Sequence, residues 1–401
     1  MSASLSWIDL TAADRDKLRR VLNLFNEQGT VDELGLGSLR DAFSNALFPG
    51  TSVLQTRLRY VLFIPWIYRE IESWGGGYDA AFEAKRMELG LIETLIESGD
   101  SEGIIGIRSR QALSQLASVV YWPLLVRWGI FLAGGNQGWY HTQFDGLVRR
   151  QKEVGRADDP GVVWTREPTW HPRLPAAPSG FPDEASFALT GEEADFLLGR
   201  IQERCGGSLL AWLAQEGSTS LAESFWEEPA ALRAGGPIAE RVELARRFSL
   251  HVEGAPLLYN LLLAELRHDV QRSDRDAALI DSYRGDLAEW AGREEAEAPF
   301  DTTSLWSFVA RQGGRLVHPQ QRFVEAWSRR VSEIGARRVV DDDFLRRLIA
   351  NRERQLKGQR ARVANRGRLL DWGGRVGVGR MSFRWPNVRR LLMDLHAGLG
   401  R

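Results

Sequence analysis

Apolar residues recur at helical spacing along most of the chain, and glycine or proline interrupts each run. Leu39, Phe43 and Leu47, for example, fall on one face of a helix that Pro49 and Gly50 would end. A period near 3.6 residues is typical of amphipathic helices, whereas half-buried strands alternate with a period of two. The sequence therefore predicts a mainly α fold.

Proline separates the predicted helices into two groups. Six of the 15 prolines fall between residues 155 and 182, which excludes regular helix there. Trp164, Trp170 and Phe181 in this stretch indicate that it packs against a protein surface. The predicted division has four parts: an N-terminal helical domain (1–150), a Pro-rich connector (151–185), a second helical domain (186–340) and a basic C-terminal helical segment (341–401).

Composition limits the class of protein. The 401 residues are enough for two or three domains, and the single cysteine, Cys205, excludes an internal disulfide framework and any multi-cysteine zinc site. Such cysteine usage fits a reduced, cytoplasmic compartment. The apolar stretch 116–133 is interrupted by Pro123 and Arg127, which favours a buried helix over a membrane span.

The net charge of −1 hides a strong separation of charge. Residues 346–390 contain fourteen Arg or Lys and only two acids, Glu353 and Asp371, a net charge of +12. The rest of the chain must therefore carry −13. This pattern indicates a basic interaction segment on an acidic body.

Motifs of known chemistry are missing from the sequence. No two of the six histidines have a helical i, i+4 spacing, and HExxH, GxSxG and P-loop patterns do not occur. Cys205 follows an apolar helix and is interpreted as a buried or turn cysteine rather than a nucleophile. We therefore predict no enzyme activity, catalytic residue, metal site or cofactor. An enzyme with a dispersed active site, such as a metal-dependent nuclease, remains the alternative.

Local capping signals and one glycine cluster are open to structural tests. Thr190 and Glu193 have the spacing of a capping box, and Asp343, the last of three successive aspartates, is predicted to cap the next helix rather than bind a divalent ion. The glycines between residues 373 and 379 could place backbone amides near a phosphate, but a flexible turn is favoured because no strand signal precedes them.

The basic segment is the main functional signal. Ile349, Leu356, Val363 and Leu370 recur every seven residues and predict an apolar stripe on a helix that Gly358 and Gly367 weaken or break. The cations between these positions would then face outward and contact phosphates. The predicted nucleic-acid-binding residues are Arg352, Arg354, Lys357, Arg360, Arg362, Arg366 and Arg368.

Two alternatives to phosphate contact stay open. The arginines could dock an acidic partner protein, or they could pair with the acidic body of the same chain. Trp372 and Trp385 interleave with the cations and could stack on bases of a single strand, although buried tryptophans are the commoner case.

Several longer motifs resemble a known bacterial family. They are SWIDL at Ser6–Leu10, the run Val31–Tyr68, WHPRLP at Trp170–Pro175 and FRWPNVRRLLMDLHAGL at Phe383–Leu399. Together they are similar to domain of unknown function 6361, over the whole length of the chain. The resemblance supplies no catalytic residues. It implies a bacterial cytoplasmic protein whose relatives are encoded near helicases, nucleases and other phage-defence components.

These observations lead to one expected function. The chain is predicted to be a non-enzymatic, nucleic-acid-binding or scaffolding subunit of a multi-protein bacterial system for anti-phage defence. Its expected partners are DNA, bound through the basic segment, and protein subunits such as a helicase or nuclease, with no membrane involved.

Overall fold

The protein is described from a computed structural model, which covers residues 32–99, 102–110, 113, 115–153, 168–217, 222–313 and 317–401. Helices dominate these residues, and their only β-type pairing is an isolated bridge between Phe131 and Trp170. The mainly α prediction is therefore confirmed. The Ser6–Leu10 motif and Trp164 lie outside the described residues.

The α-helices of the described residues are numbered here in chain order. They are α1 (Gly37–Leu47), α2 (Tyr60–Trp74), α3 (Ala80–Glu97), α4 (Ala117–Arg127), α5 (Gln137–Glu153), α6 (Gly191–Cys205), α7 (Leu209–Glu216), α8 (Pro229–Leu232), α9 (Gly236–Gln271), α10 (Asp274–Glu295), α11 (Thr302–Arg311), α12 (His318–Ile334), α13 (Asp343–Lys357), α14 (Arg366–Leu370) and α15 (Trp385–Gly398). Short 3-10 helices occur at Ala336–Asp341 and Gly358–Arg360.

The chain forms two compact units, each built from two stretches of sequence. Unit A contains the described residues 32–42 together with Leu244–Phe383, and unit B contains Phe43–Glu243 together with Arg384–Arg401. The predicted basic segment 341–401 is consequently shared: its residues up to Phe383 belong to unit A and the remainder to unit B.

Unit A is organised around the long helix α9. Trp290 of α10 and Trp327 of α12 are fully buried beside it, and their indole N–H groups donate to the backbone carbonyls of Leu250 (2.8 Å) and His251 (3.2 Å). A Cβ at Gly254 would lie 2.5 Å from the Trp290 ring. Glycine at this position therefore allows the indole to pack against the α9 backbone.

Unit B has an aromatic core that includes part of the predicted connector. Trp170 is buried among the rings of Tyr68 and Trp122, with centroid separations of 6.0 and 5.8 Å. Phe181 stacks on Phe63 of α2 with ring centroids 5.6 Å apart. The described part of the Pro-rich stretch thus packs against helices, as its aromatic residues predict.

The apolar stretch 116–133 forms α4 and the turn after it. Leu124 and Leu125 are fully buried, and Trp122 is 3% exposed, so this segment is a core helix of unit B as predicted. Within the described part of the chain, no helix is long and apolar enough to cross a membrane.

The two capping predictions have different outcomes. The capping box is confirmed: Thr190 Oγ1 accepts from the Glu193 amide at 3.2 Å, and the Glu193 side chain accepts from the Thr190 amide at 3.0 Å. The cap assigned to Asp343 is wrong, because Asp342 Oδ1 accepts from the Leu345 amide (2.9 Å) and Asp343 lies in the first turn. Three successive aspartates left the register of the cap open, and the fold selects the middle one.

Candidate nucleic-acid interface

The predicted basic helix is shorter than its sequence pattern suggests. Helix α13 ends at Lys357, and Gly358 leaves the helix with a φ of +55°, a conformation that favours glycine. The predicted apolar stripe is therefore wrong beyond Ile349, which is fully buried, whereas Leu356 is 43% exposed and Leu370 is 37% exposed. The seven predicted cations do not share one face of one helix.

Arg352 is a structural residue of unit A. Its side chain is buried, and its Nε donates to the Leu34 carbonyl at 2.8 Å. The guanidinium also lies over the Phe323 ring, 5.5 Å from its centroid. These contacts attach the segment that precedes α1 to α13, and they leave Arg352 little capacity to contact a phosphate.

Glu353, in the last turns of α13, is the centre of a buried hydrogen-bond network. It is completely buried, and its Oε1 accepts from the Tyr259 hydroxyl (2.6 Å), from Lys357 Nζ (3.1 Å) and from the Arg362 amide (2.9 Å). Its Oε2 accepts from the Val363 amide at 3.0 Å. One carboxylate therefore fixes the path of the chain where it leaves the helix.

Glu33 engages two further predicted cations. Its buried carboxylate forms ion pairs with Lys357 and with Arg362, whose Nη1 lies 2.9 Å from Oε1. Burial, and then the charges of Arg362 and Arg360, lower the pKa of Lys357 to about 7, while the two carboxylates that it contacts favour its charged form. Lys357 and Arg362 thus serve the internal network.

The remaining four predicted residues differ from these three, and we call them the exposed quartet: Arg354, Arg360, Arg366 and Arg368. Among the described residues, no carboxylate lies within 4.0 Å of the first three, and Arg368 is 4.0 Å from the exposed Asp371. Arg354 donates to the Asn351 side-chain oxygen at 3.0 Å. The quartet presents four guanidinium groups to solvent within fifteen residues.

Other cations of the basic segment are engaged by the protein itself. Arg346 pairs with Glu265 in unit A, whereas Arg389 pairs with Glu223 (2.6 Å) in unit B. Internal pairing, one of the open alternatives, therefore holds for part of the segment.

The two tryptophans of the segment belong to the hydrophobic cores. Trp372 is 3% exposed and Trp385 is 1% exposed. Arg267 covers the Trp372 ring with its guanidinium, 4.6 Å from the centroid. Neither indole is available to stack on a base in this conformation.

The glycine cluster 373–379 is held in place by side chains of unit A. Asn260 makes two hydrogen bonds with the backbone of Val376, donating at 2.7 Å and accepting at 2.9 Å. The Tyr283 hydroxyl donates to the Gly374 carbonyl at 2.6 Å. The Val376 amide is consequently occupied by a protein acceptor, and these hydrogen bonds hold the backbone of an irregular segment. The flexibility of this segment stays a prediction.

The aspartates before α13 also have protein partners. Besides capping the helix, Asp342 pairs with Arg330 at 2.7 Å, and Asp341 lies 3.2 Å from Arg284. Hydrogen bonds from Arg330 and from the helix amides hold the pKa of Asp342 below its usual value against the opposing effect of burial. In the part of the chain that the structure describes, no three His, Cys, Asp or Glu side chains are grouped to hold a metal ion.

A buried serine–histidine–glutamate arrangement was not anticipated from the sequence. His251 of α9 lies 2.7 Å from Glu294 of α10 through Nδ1 and 2.8 Å from the Ser328 hydroxyl of α12 through Nε2. All three residues are less than 10% exposed, and Phe300 stacks on the imidazole. The order of groups resembles a hydrolytic triad, but this burial makes it a hydrogen-bonded link between three helices. Its members come from positions up to 77 residues apart, so no local spacing marks them.

Cys205 lies at the end of α6 and is buried, as predicted. Burial raises the pKa of its thiol to about 11, so the thiolate is scarce at neutral pH. This environment is typical of a structural cysteine.

Comparison with known families shows which family the chain belongs to. The model of domain of unknown function 6361, described as a family of unknown function, matches residues 1–398. The chain belongs to this family. No curated protein and no solved structure matches this DUF6361 member.

Proposed function

We propose that this DUF6361 protein is a non-enzymatic, nucleic-acid-binding or scaffolding subunit of a multi-protein bacterial system. The observation that carries the proposal is the exposed quartet, which remains in solvent while the neighbouring cations Arg352, Lys357 and Arg362 are engaged by the protein. Exposed guanidinium groups with few nearby carboxylates can replace the counterions of a phosphate backbone, and the released ions drive binding.

Charge and spacing favour nucleic acid over an acidic protein. The quartet lies between residues 354 and 368, a stretch that contains no acidic residue: Glu353 precedes the first arginine and Asp371 follows the last. Regularly spaced phosphates can engage such a set in many registers, which suits sequence-independent binding. DNA is the nucleic acid that we propose.

The proposal predicts that replacing the four arginines of the exposed quartet by alanine weakens binding to all nucleic-acid sequences about equally. Stability should change little, since exposed charge pairs contribute only about 0–1 kcal/mol each. Fluorescence anisotropy with a labelled oligonucleotide at low salt measures the affinity, and thermal unfolding measures the stability.

A matched control carries the same change of charge elsewhere in unit A. It replaces four other exposed arginines by alanine: Arg311, Arg329, Arg337 and Arg338. The control should bind close to wild type. Equal losses in the two variants would show that net charge alone matters, and absence of binding by the intact protein at low salt would overturn the proposal in favour of an acidic protein partner.

The wider setting of the proposal is a cytoplasmic assembly in anti-phage defence, with partner subunits such as a helicase or a nuclease. This setting is supported by the family resemblance alone. Co-purification from the native host is the test. We expect nucleic acid and at least one such enzyme to be recovered with the chain, and no DNA cleavage by the purified chain in Mg²⁺ or Mn²⁺.

A further inference from the structure

A groove of about 290 Å³ runs along unit A between α12 and α13. Its walls include Arg322 and Ala326 from α12 and Leu348, Asn351 and Gln355 from α13. The three α13 residues recur at spacings of three and four, so they lie on one side of the helix. The groove therefore follows one side of α13 next to α12.

The lining chemistry suits an anionic ligand that has both an apolar and a hydrogen-bonding part. Ala326 and Leu348 provide apolar surface, while the exposed amides of Asn351 and Gln355 can each donate and accept. Arg322 supplies an exposed positive charge, and the described residues that line the groove include no carboxylate.

The groove adjoins the exposed quartet. Asn351, which lines it, accepts a hydrogen bond from Arg354 of the quartet at 3.0 Å. A strand with a phosphate on Arg354 therefore passes beside the groove. The side-chain amides of Asn and Gln can form paired hydrogen bonds with the N6 and N7 edge of adenine.

We propose that this groove receives one unpaired base of a single-stranded nucleic acid whose phosphates contact Arg322 and the exposed quartet. The inference rests on the proposed nucleic-acid binding and adds the class of ligand to it. A base in a duplex is stacked and paired, so it could enter only after being extruded at a cost of a few kcal/mol. The protein should accordingly prefer a single strand to a duplex.

The size of the groove supports a single base as the occupant. Pockets for drug-sized ligands and cofactors span about 300–1,000 Å³, and this groove lies just below that range. An acidic peptide could also pair with Arg322. Its carboxylates, however, would not pack against the apolar walls, and they cannot donate hydrogen bonds to the side-chain amides. Charge and shape together favour a nucleotide.

The test compares two labelled strands that differ only in their bases. One is an oligodeoxyadenylate of twenty nucleotides, and the other is a sugar-phosphate strand of the same length with an abasic site at every position. The wild-type protein should bind the first strand at least about fivefold more tightly, the equivalent of about 1 kcal/mol for one accommodated base. A double variant, Asn351→Leu with Gln355→Leu, should lose this preference and bind the abasic strand as wild type does.

The quartet variant is a second comparison in this test. It should weaken binding to both strands by about the same factor, so that the preference for the strand with bases is kept. Equal affinity of the wild-type protein for the two strands would overturn the groove proposal while leaving phosphate binding intact. Absence of binding to either strand would overturn the proposed function itself, and binding of an oligoglutamate peptide that depends on Asn351 and Gln355 would assign the groove to an acidic protein.

Discussion

Glu88 shows how burial sets the chemistry of a single residue in unit B. It lies on α3 with its carboxyl group inside the core, where Oε2 accepts from the Ser118 amide at the start of α4 (2.9 Å). Burial raises the pKa of Glu88 to about 7, and the hydrogen bonds from the helix start oppose that rise only in part. The folded protein therefore holds a proton there that the unfolded chain releases at lower pH.

Stability is expected to depend on pH through this residue. The folded-state pKa is raised, so the contribution of Glu88 is fully present below about pH 4.5 and is lost as pH rises to about 7. Glu88→Gln should flatten this decline and stabilise the protein at pH 8 by at most about 3 kcal/mol. Urea unfolding between pH 4 and 8 measures it, with Glu97→Gln, an exposed change on the same helix, as control. Parallel curves for wild type and Glu88→Gln would contradict the assignment.

Burial also distinguishes the arginines of unit A from one another. Arg352 and Arg354 are both arginines of the basic segment on α13. Arg352 is buried against backbone carbonyls, whereas Arg354, two residues later, is exposed. On a helix such neighbours point about 200° apart, so the two side chains face different sides of it. Which of the two faces inward depends on partners such as Leu34, more than 300 residues away in sequence. The sequence could therefore identify the cations but could not sort them.

At the scale of elements, local signals predicted the helices better than their ends and faces. The capping box at Thr190 needed only neighbouring residues and is confirmed. The seven-residue apolar repeat failed because Gly358 ends α13 and because the buried face there follows Leu345, Ile349 and Glu353 instead. The burial of Glu353 is explained only by its hydrogen-bond donors, such as the Tyr259 hydroxyl, which is 94 residues away in sequence.

Glu353→Ala is expected to destabilise the protein by about 3–5 kcal/mol, because it removes the partner of a buried charged network and leaves several donors unsatisfied. Gln355→Ala, an exposed change two residues away, should alter the free energy of unfolding by less than about 0.5 kcal/mol. Denaturant unfolding of both variants checks this prediction. A loss of less than about 1 kcal/mol for Glu353→Ala would show that the network contributes little to the fold.

At the scale of the whole molecule, charge separation in sequence does not translate into a separate basic module. The segment 341–401 contributes buried residues to both units, including Trp372 in unit A and Trp385 in unit B. The composition predicted a basic surface. In the structure, several of these cations contact groups of the protein itself, and a smaller set of arginines is exposed to solvent. The prediction of a mainly α protein needed only periodicity, whereas the candidate interface needed the tertiary partners of each cation.

The salt dependence of nucleic-acid affinity tests the central claim most directly. For the wild-type protein, the logarithm of the association constant should fall linearly with the logarithm of the salt concentration. Replacing the exposed quartet by alanine should reduce the slope by roughly 0.7 for each lost phosphate contact with a single strand, or roughly 0.9 with duplex DNA. The matched control variant should keep the wild-type slope. A quartet variant with an unchanged slope and affinity would contradict the account.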